Sequence, residues 1–160
     1  MRSIKIPLKV RKALAEGNIR QANAFLRDIY SIRGTVIKGQ QLGRVLGFPT
    51  ANLKLRQEDP LFLANGIYAV KVTVDNIMHK GMANIGIRPT LENHELTIEV
   101  NIFEFERDIY GQEIVVHFID RLRDEKKFNS LDELKEAISK DKIQINKILS
   151  TGMHPDSHPQ

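Results

Sequence analysis

Two short stretches carry side chains whose spacing could do chemistry. In Pro49-Thr50-Ala51-Asn52, Pro49 fixes one backbone angle, and an extended piece then turns the Thr50 hydroxyl and the Asn52 carboxamide to the same side. Two neutral oxygens suit Mg²⁺ when nucleotide phosphates supply most of the negative charge, because that ion retains waters and takes few protein ligands. The same groups could instead satisfy backbone groups in a turn. Further along, Leu96 to Phe105 reads as a strand with Leu96, Ile98, Val100 and Ile102 on one face and Thr97, Glu99, Asn101 and Phe103 on the other. Polar residues on such a second face normally meet solvent. Phe103 and Phe105 beside them could instead desolvate the Glu99 carboxylate, raise its proton affinity and suit it to take a proton from a hydroxyl nucleophile.

A third stretch, Gly34 to Leu53, has glycines at 34, 39, 43 and 47. Glycines let a backbone approach a ligand closely, and successive N–H groups in such a loop can cradle phosphate oxygens. A hairpin loop that needs glycines only to bend would show the same spacing. No Gly-Lys-Ser or Gly-Lys-Thr closes the segment, and no GxGxxG opens a helix after a strand, so neither a Walker loop nor a dinucleotide fingerprint is present. His154 and His158 stand in a proline-broken tail with no rigid geometry for a metal, and are read as solvated.

The elements that must position these groups follow from periodicity. Residues 9 to 28 carry Val10, Ala13, Leu14, Ala22, Phe25 and Leu26 at helical spacing, interrupted at Gly17, which predicts two short helices. From Ile32 the period changes to that of strands. Tyr68, Val70, Val72 and Val74 alternate with Ala69, Lys71 and Thr73, and Asp75-Asn76 then suits a tight hairpin into a strand over Ile77–Ala83. A further strand, Glu113 to Asp120, follows the turn at Tyr110-Gly111-Gln112. After Phe128 a capping box, Ser130 with Glu133, opens one long helix with Leu131, Leu134, Ile138, Ile145, Ile148 and Leu149 on its stripe. Residues 150 to 160 are expected to be disordered.

A chain of 160 residues has room for one domain, and 41% apolar with 28% charged residues is the composition of a folded globular protein. With no Cys, disulfides, thiolate catalysis and Cys-based metal sites are excluded, and a cytoplasmic location is expected. No apolar run of about 18 residues occurs, so neither a membrane span nor secretion is expected. The net charge of +4 is small and its acids and bases interleave, so small phosphate-bearing ligands account for it as well as RNA does.

Five linked stretches then match a known pattern in order and spacing: the glycine-rich run ending GRVLGFPTANL, then NGIYAV, GMANIGIRPT, EVNIFEFERDIYGQEIVVHF and RLRDEKKFNSLDELKEAI. Over about residues 30 to 148 the sequence resembles the riboflavin kinase family. The upstream KVRKALAEGNIRQANAFL looks like the connector after the adenylyltransferase domain of bacterial bifunctional riboflavin kinase/FAD synthetases. The resemblance implies a mainly β fold with flanking α: a six-stranded antiparallel Greek-key barrel with a C-terminal helix and short N-terminal helices. It divides the chain into a helical connector (1–28), a barrel domain (29–149) and a tail (150–160). It implies transfer of the ATP γ-phosphate to the 5′-hydroxyl of riboflavin with Mg²⁺. Thr50 and Asn52 would hold metal and phosphates, and Glu99 would be the general base. Gly39, Gly43, Arg44 and Gly47, with Lys38 nearby, would cover the ATP phosphates. The segment RLRDEKKF resembles a mobile flap over flavin, which makes Arg121, Arg123 and Phe128 flavin-side candidates. At Asn101 the sequence departs from the family, which often has His or a similar residue there. No HxGH-type nucleotide-transfer motif occurs, so FMN is expected as product without its adenylation. A monomer that binds neither nucleic acid nor membrane is expected, alongside a fused or separate FMN adenylyltransferase domain.

Two non-catalytic readings remain open at this point. One is a basic barrel whose Lys38, Arg44 and Arg88 meet RNA phosphates, and the other is a barrel that sequesters FMN.

Overall fold

β-Branched runs that alternate in polarity have one face to hide, and the central chain hides it by curling into a closed sheet. The computed structural model describes residues 6–38, 50–56 and 61–150, with the backbone alone at position 88. Two helices, α1 (Leu8–Ala15) and α2 (Ile19–Leu26), lead into strands β1 (Ser31–Ile37), β2 (Ala51–Leu55), β3 (Gly66–Val74), β4 (Ile77–Pro89), β5 (His94–Ile102) and β6 (Glu113–Arg123), and helix α3 (Leu131–Ser150) follows. The strands close in the order β1-β2-β5-β4-β3-β6, every neighbouring pair antiparallel. Asp75 and Asn76 take φ of 50° and 66° between β3 and β4, the left-handed pair that a two-residue hairpin demands.

Tyr68, Val70, Val72, Ala83, Ile85, Ile98, Val100 and Phe118 fill the barrel. Alternation sends their neighbours outward, where Ile67, Ala69, Met82, Phe103 and Ile119 form a second apolar layer under Ile145 and Leu149 of α3. The sheet is thus covered on part of its outer surface as well, which is why Phe103 is buried although it lies on the side that carries Glu99. Ser130 Oγ accepts the Glu133 N–H at 3.2 Å, while the Glu133 carboxylate accepts from the Asn129 N–H at 3.1 Å, one residue earlier than a strict capping box. Leu131, expected on the buried stripe, is 54% exposed.

The N-terminal helices share the barrel's core: Val10, Leu14, Ile19 and Ala22 join the same apolar cluster. Asn23 completes the junction from within it. Its Nδ2 donates to the Phe118 carbonyl at 2.8 Å and its Oδ1 accepts the Tyr30 N–H at 2.8 Å, so a fully buried amide satisfies two backbone groups. The expected disordered tail lies outside the described residues, apart from Ser150 at the end of α3.

Candidate active site

Strand register builds the site. Asn52 of β2 stands directly opposite Glu99 of β5, and Glu99 directly opposite Asn84 of β4. Because Leu53, Val100, Ala83 and Ile85 point into the barrel, alternation turns all three polar residues outward, side by side on three adjacent strands. The same row runs on through Ile67 of β3 to Arg123 of β6. Glu99, Asn52 and Asn84 are all half-buried.

The electrostatics of this row are unbalanced. Glu125, just past β6, lays its carboxylate against Gly86, two residues along β4 from Asn84: a Cβ added at Gly86 would stand 2.6 and 2.9 Å from its oxygens. Burial pushes the Glu125 carboxyl above its ordinary value, and the Glu99 charge adds to the effect. Beside them, Asn84 Oδ1 is shut from solvent with no hydrogen-bond partner, a state shared among the described residues only by Arg121 Nε. Neither Asn84 nor Glu125 was singled out from the sequence. Asn84 falls within the GMANIGIRPT stretch, but only the register that sets it against Glu99 gives it a place in this row.

The flavin-side candidates divide. Arg123 grips Asp141 of α3 through two nitrogens, Nε to Oδ1 at 3.0 Å and Nη2 to Oδ2 at 2.6 Å, and its guanidinium carbon lies 6.0 Å from the centre of the Phe128 ring. Asp141 is buried, so this pair anchors the segment carrying Glu125 and Phe128 to the helix. Arg121 faces elsewhere. The pairs Ile67–Arg123 and Tyr68–Arg121 leave Leu122 as an extra residue in β6, and this bulge gives two arginines that simple alternation would set together opposite directions. Arg121 packs on Gly17 and Gly66 beside Tyr68, donating to the Asn65 carbonyl at 2.5 Å and the Asp124 carboxylate at 2.6 Å. Burial works to lower its pKa, but hydrogen bonding and charge from Asp124 and Tyr68 outweigh that and hold it raised.

Thr50 is half-buried one residue before β2 and lines a shallow cavity with Val36, Val100, Phe105 and Tyr110. Lys38 is exposed just beyond β1. Gly39, Gly43, Arg44 and Gly47 lie outside the described residues, as does the side chain of Arg88. The expectation that Phe105 shares a face with Glu99 is corrected: β5 ends at Ile102, and Glu104 takes a φ of 55°, which an extended strand cannot continue. Phe105 therefore lines the cavity, edge-on to His79 with ring centres 5.1 Å apart, and of the two aromatics only Phe103 stays on the α3 side. Asn101 is buried opposite Met82.

The family model for riboflavin kinase (Flavokinase) matches residues 26–149. The chain belongs to the riboflavin kinase family. It is 41% identical over 144 residues to the bifunctional riboflavin kinase/FMN adenylyltransferase of Bacillus subtilis, across 88% of this chain and 45% of that protein. To the enzyme of the same description from Haemophilus influenzae it is 44% identical, across 82% of this chain and 42% of that one. With the RNA-binding riboflavin kinase RibR of Bacillus subtilis it shares 47% identity over 111 residues, 69% of this chain and 47% of the relative. The chain thus spans a little under half the length of these curated relatives. Among solved structures, a Streptococcus pneumoniae protein described as a macrolide-efflux protein superposes with a TM-score of 0.83 at 36% identity, covering 89% of this chain and 47% of that one. The riboflavin kinase of Trypanosoma brucei superposes with a TM-score of 0.53 at 24% identity over 75% of this chain and 79% of its own, a likeness of fold. The six-stranded barrel and the family expected from the five motifs are both borne out. Among the described residues no helix is long and apolar enough to cross a membrane.

Proposed function

We propose that this riboflavin kinase family member transfers the γ-phosphate of ATP to the 5′-hydroxyl of riboflavin, giving FMN and ADP. The observation that carries the reading is the Glu99 carboxylate set between Asn52 and Asn84 on one outer face. In the proposed step Glu99 accepts the hydroxyl proton, the oxygen bonds to the γ-phosphorus, and the bond from that phosphorus to the ADP oxygen breaks. Phosphoryl transfer asks little covalent chemistry of a protein, so in-line positioning and charge neutralisation carry most of the rate.

The donor set fits a metal that arrives with the nucleotide. Among the described residues no three His, Asp or Glu side chains converge to make a resident cage, whereas the Asn52 amide stands next to the Glu99 carboxylate. Thr50 and Asn52 would hold Mg²⁺, which when bound neutralises charge on the β and γ oxygens. Lys38, Gly39, Gly43, Arg44 and Gly47 would lie toward the nucleotide phosphates. Arg123 and Phe128 would meet the flavin side, and Arg121 would act from the root of the same segment through Asp124.

Incubating the purified chain with riboflavin, ATP and Mg²⁺ and resolving flavins by chromatography tests the reading. FMN should accumulate without FAD, and only when ATP is present. Tight flavin binding without FMN would favour sequestration, and steeply salt-dependent RNA binding without turnover would favour the nucleic-acid reading.

A further inference from the structure

We infer that Asn84 is a substrate-contacting residue that reads a second hydroxyl of the acceptor, next to the one that reacts. The inference rests on the kinase reading above and names what that site must also recognise: a polyol chain rather than an isolated alcohol. The Asn84 side chain is set directly opposite Glu99 in the β4–β5 register and faces the same way. Side chains so placed have Cβ atoms about 4.5–5.5 Å apart, within reach of oxygens on neighbouring carbons of one extended polyol. Its Oδ1 is buried and unpartnered, and a buried carbonyl left without a donor is destabilising and rare in folded proteins. A hydroxyl supplied by a ligand is the donor it lacks. The Asn52 side of Glu99 does not offer the same feature, since among the described residues Asn52 has no atom that is both buried and unpaired.

Gly86 lies two residues along β4 from Asn84, on the same face of the strand. The absence of a side chain there leaves room for the Glu125 carboxylate, whose oxygens would stand 2.6 and 2.9 Å from an added Cβ. That carboxylate is itself held in an unfavourable place, by burial first and by the Glu99 charge second. Displacement of Glu125 by a neutral polyol would therefore relieve one carboxylate while pairing the Asn84 carbonyl.

A double cycle of enzyme and substrate tests the inference. FMN formation by the unaltered chain and by Asn84→Ala is measured with riboflavin and with 4′-deoxyriboflavin, which lacks the hydroxyl beside the reacting one. With riboflavin, Asn84→Ala should raise KM about 3- to 10-fold, the span of one neutral hydrogen bond, and leave KM for ATP unchanged. The deoxy analogue should impose a similar loss on the unaltered chain and little further loss on the variant, because both changes delete the same contact. Losses that simply multiply, or an unchanged KM in Asn84→Ala, would overturn it. Asn84→Ser, which keeps an oxygen of shorter reach, runs in parallel and carries the same cycle if the alanine variant does not fold. No FMN from the unaltered chain with riboflavin would sink the kinase reading itself, before any variant is compared.

Discussion

The barrel has two polar outer faces, and they are completed differently. On β1, β6 and β3, His117 sits between two hydroxyls, its Nδ1 2.7 Å from Ser31 Oγ and its Nε2 2.9 Å from Thr73 Oγ1. Nearby, Glu113 meets Arg56 at 3.0 Å and Arg33 at 3.7 Å. Donors there find acceptors, and charges of one sign find the other. On β2, β5 and β4, an amide carbonyl is buried without a donor and two carboxylates approach closely enough for one to raise the other's pKa. Both faces come from the same sheet and the same alternation. The difference is that one face is finished by the chain itself, whereas the other keeps a buried carbonyl without a donor, the group that the proposed substrate would complete.

The sharpest way to break this comparison is to neutralise the unfinished face. Glu99→Gln should lower kcat by about 10²- to 10⁴-fold, or roughly 3–5 kcal/mol of barrier, while ATP still binds. Full turnover in that variant would remove Glu99 from the base role. Asn52→Ala should weaken Mg²⁺-nucleotide binding and rate together, by about 10- to 100-fold, the scale of one hydrogen bond to a charged partner; titrating Mg²⁺ against activity checks it, and an unaltered Mg²⁺ requirement counts against the assignment. On the finished face, Ser31→Ala should cost about 1 kcal/mol in urea denaturation and leave turnover as it was. A large drop in kcat there would erase the distinction between the faces.

The smallest effect concerns pH. With its pKa raised in the folded state, Glu125 keeps its proton longer when folded than when unfolded, so its contribution to stability falls as pH climbs through the window above the ordinary carboxylate value. Glu125→Gln should therefore be slightly more stable than the parent at pH 7, with the advantage fading as pH falls toward about 4.5 and gone below it. Melting temperatures at both pH values measure it, and an advantage that grows in acid would contradict the placement of Glu125 beside Glu99.

Much of the fold was legible in neighbouring residues. Gly17 between two helical stripes, the Asp75-Asn76 hairpin and Ser130 with Glu133 each act over a few positions, so local sequence is enough to read them. The ends of β4 and β5 were less so: β4 runs past Ala83 to Pro89, and β5 stops at Ile102 because of the backbone conformation at Glu104. Asn23 escaped notice because an amide amid apolar residues looks out of place until its two backbone partners are seen.

The candidate site shows the same division. Residue type and motif order singled out Glu99 and Asn52, because a carboxylate on an alternating strand and an oxygen-bearing PTAN stretch are properties of the chain itself. That Asn52, Glu99 and Asn84 form one row depends on how three strands align, and a slip of one residue would turn Asn84 into the barrel. The separation of Arg121 from Arg123 depends on one extra residue in β6, and the seat of Glu125 on Gly86 depends on the path the chain takes toward α3. Periodicity sets which residues are able to share a face, whereas register, bulges and packing between distant segments settle which of them meet, since those contacts exist only once the chain has closed on itself.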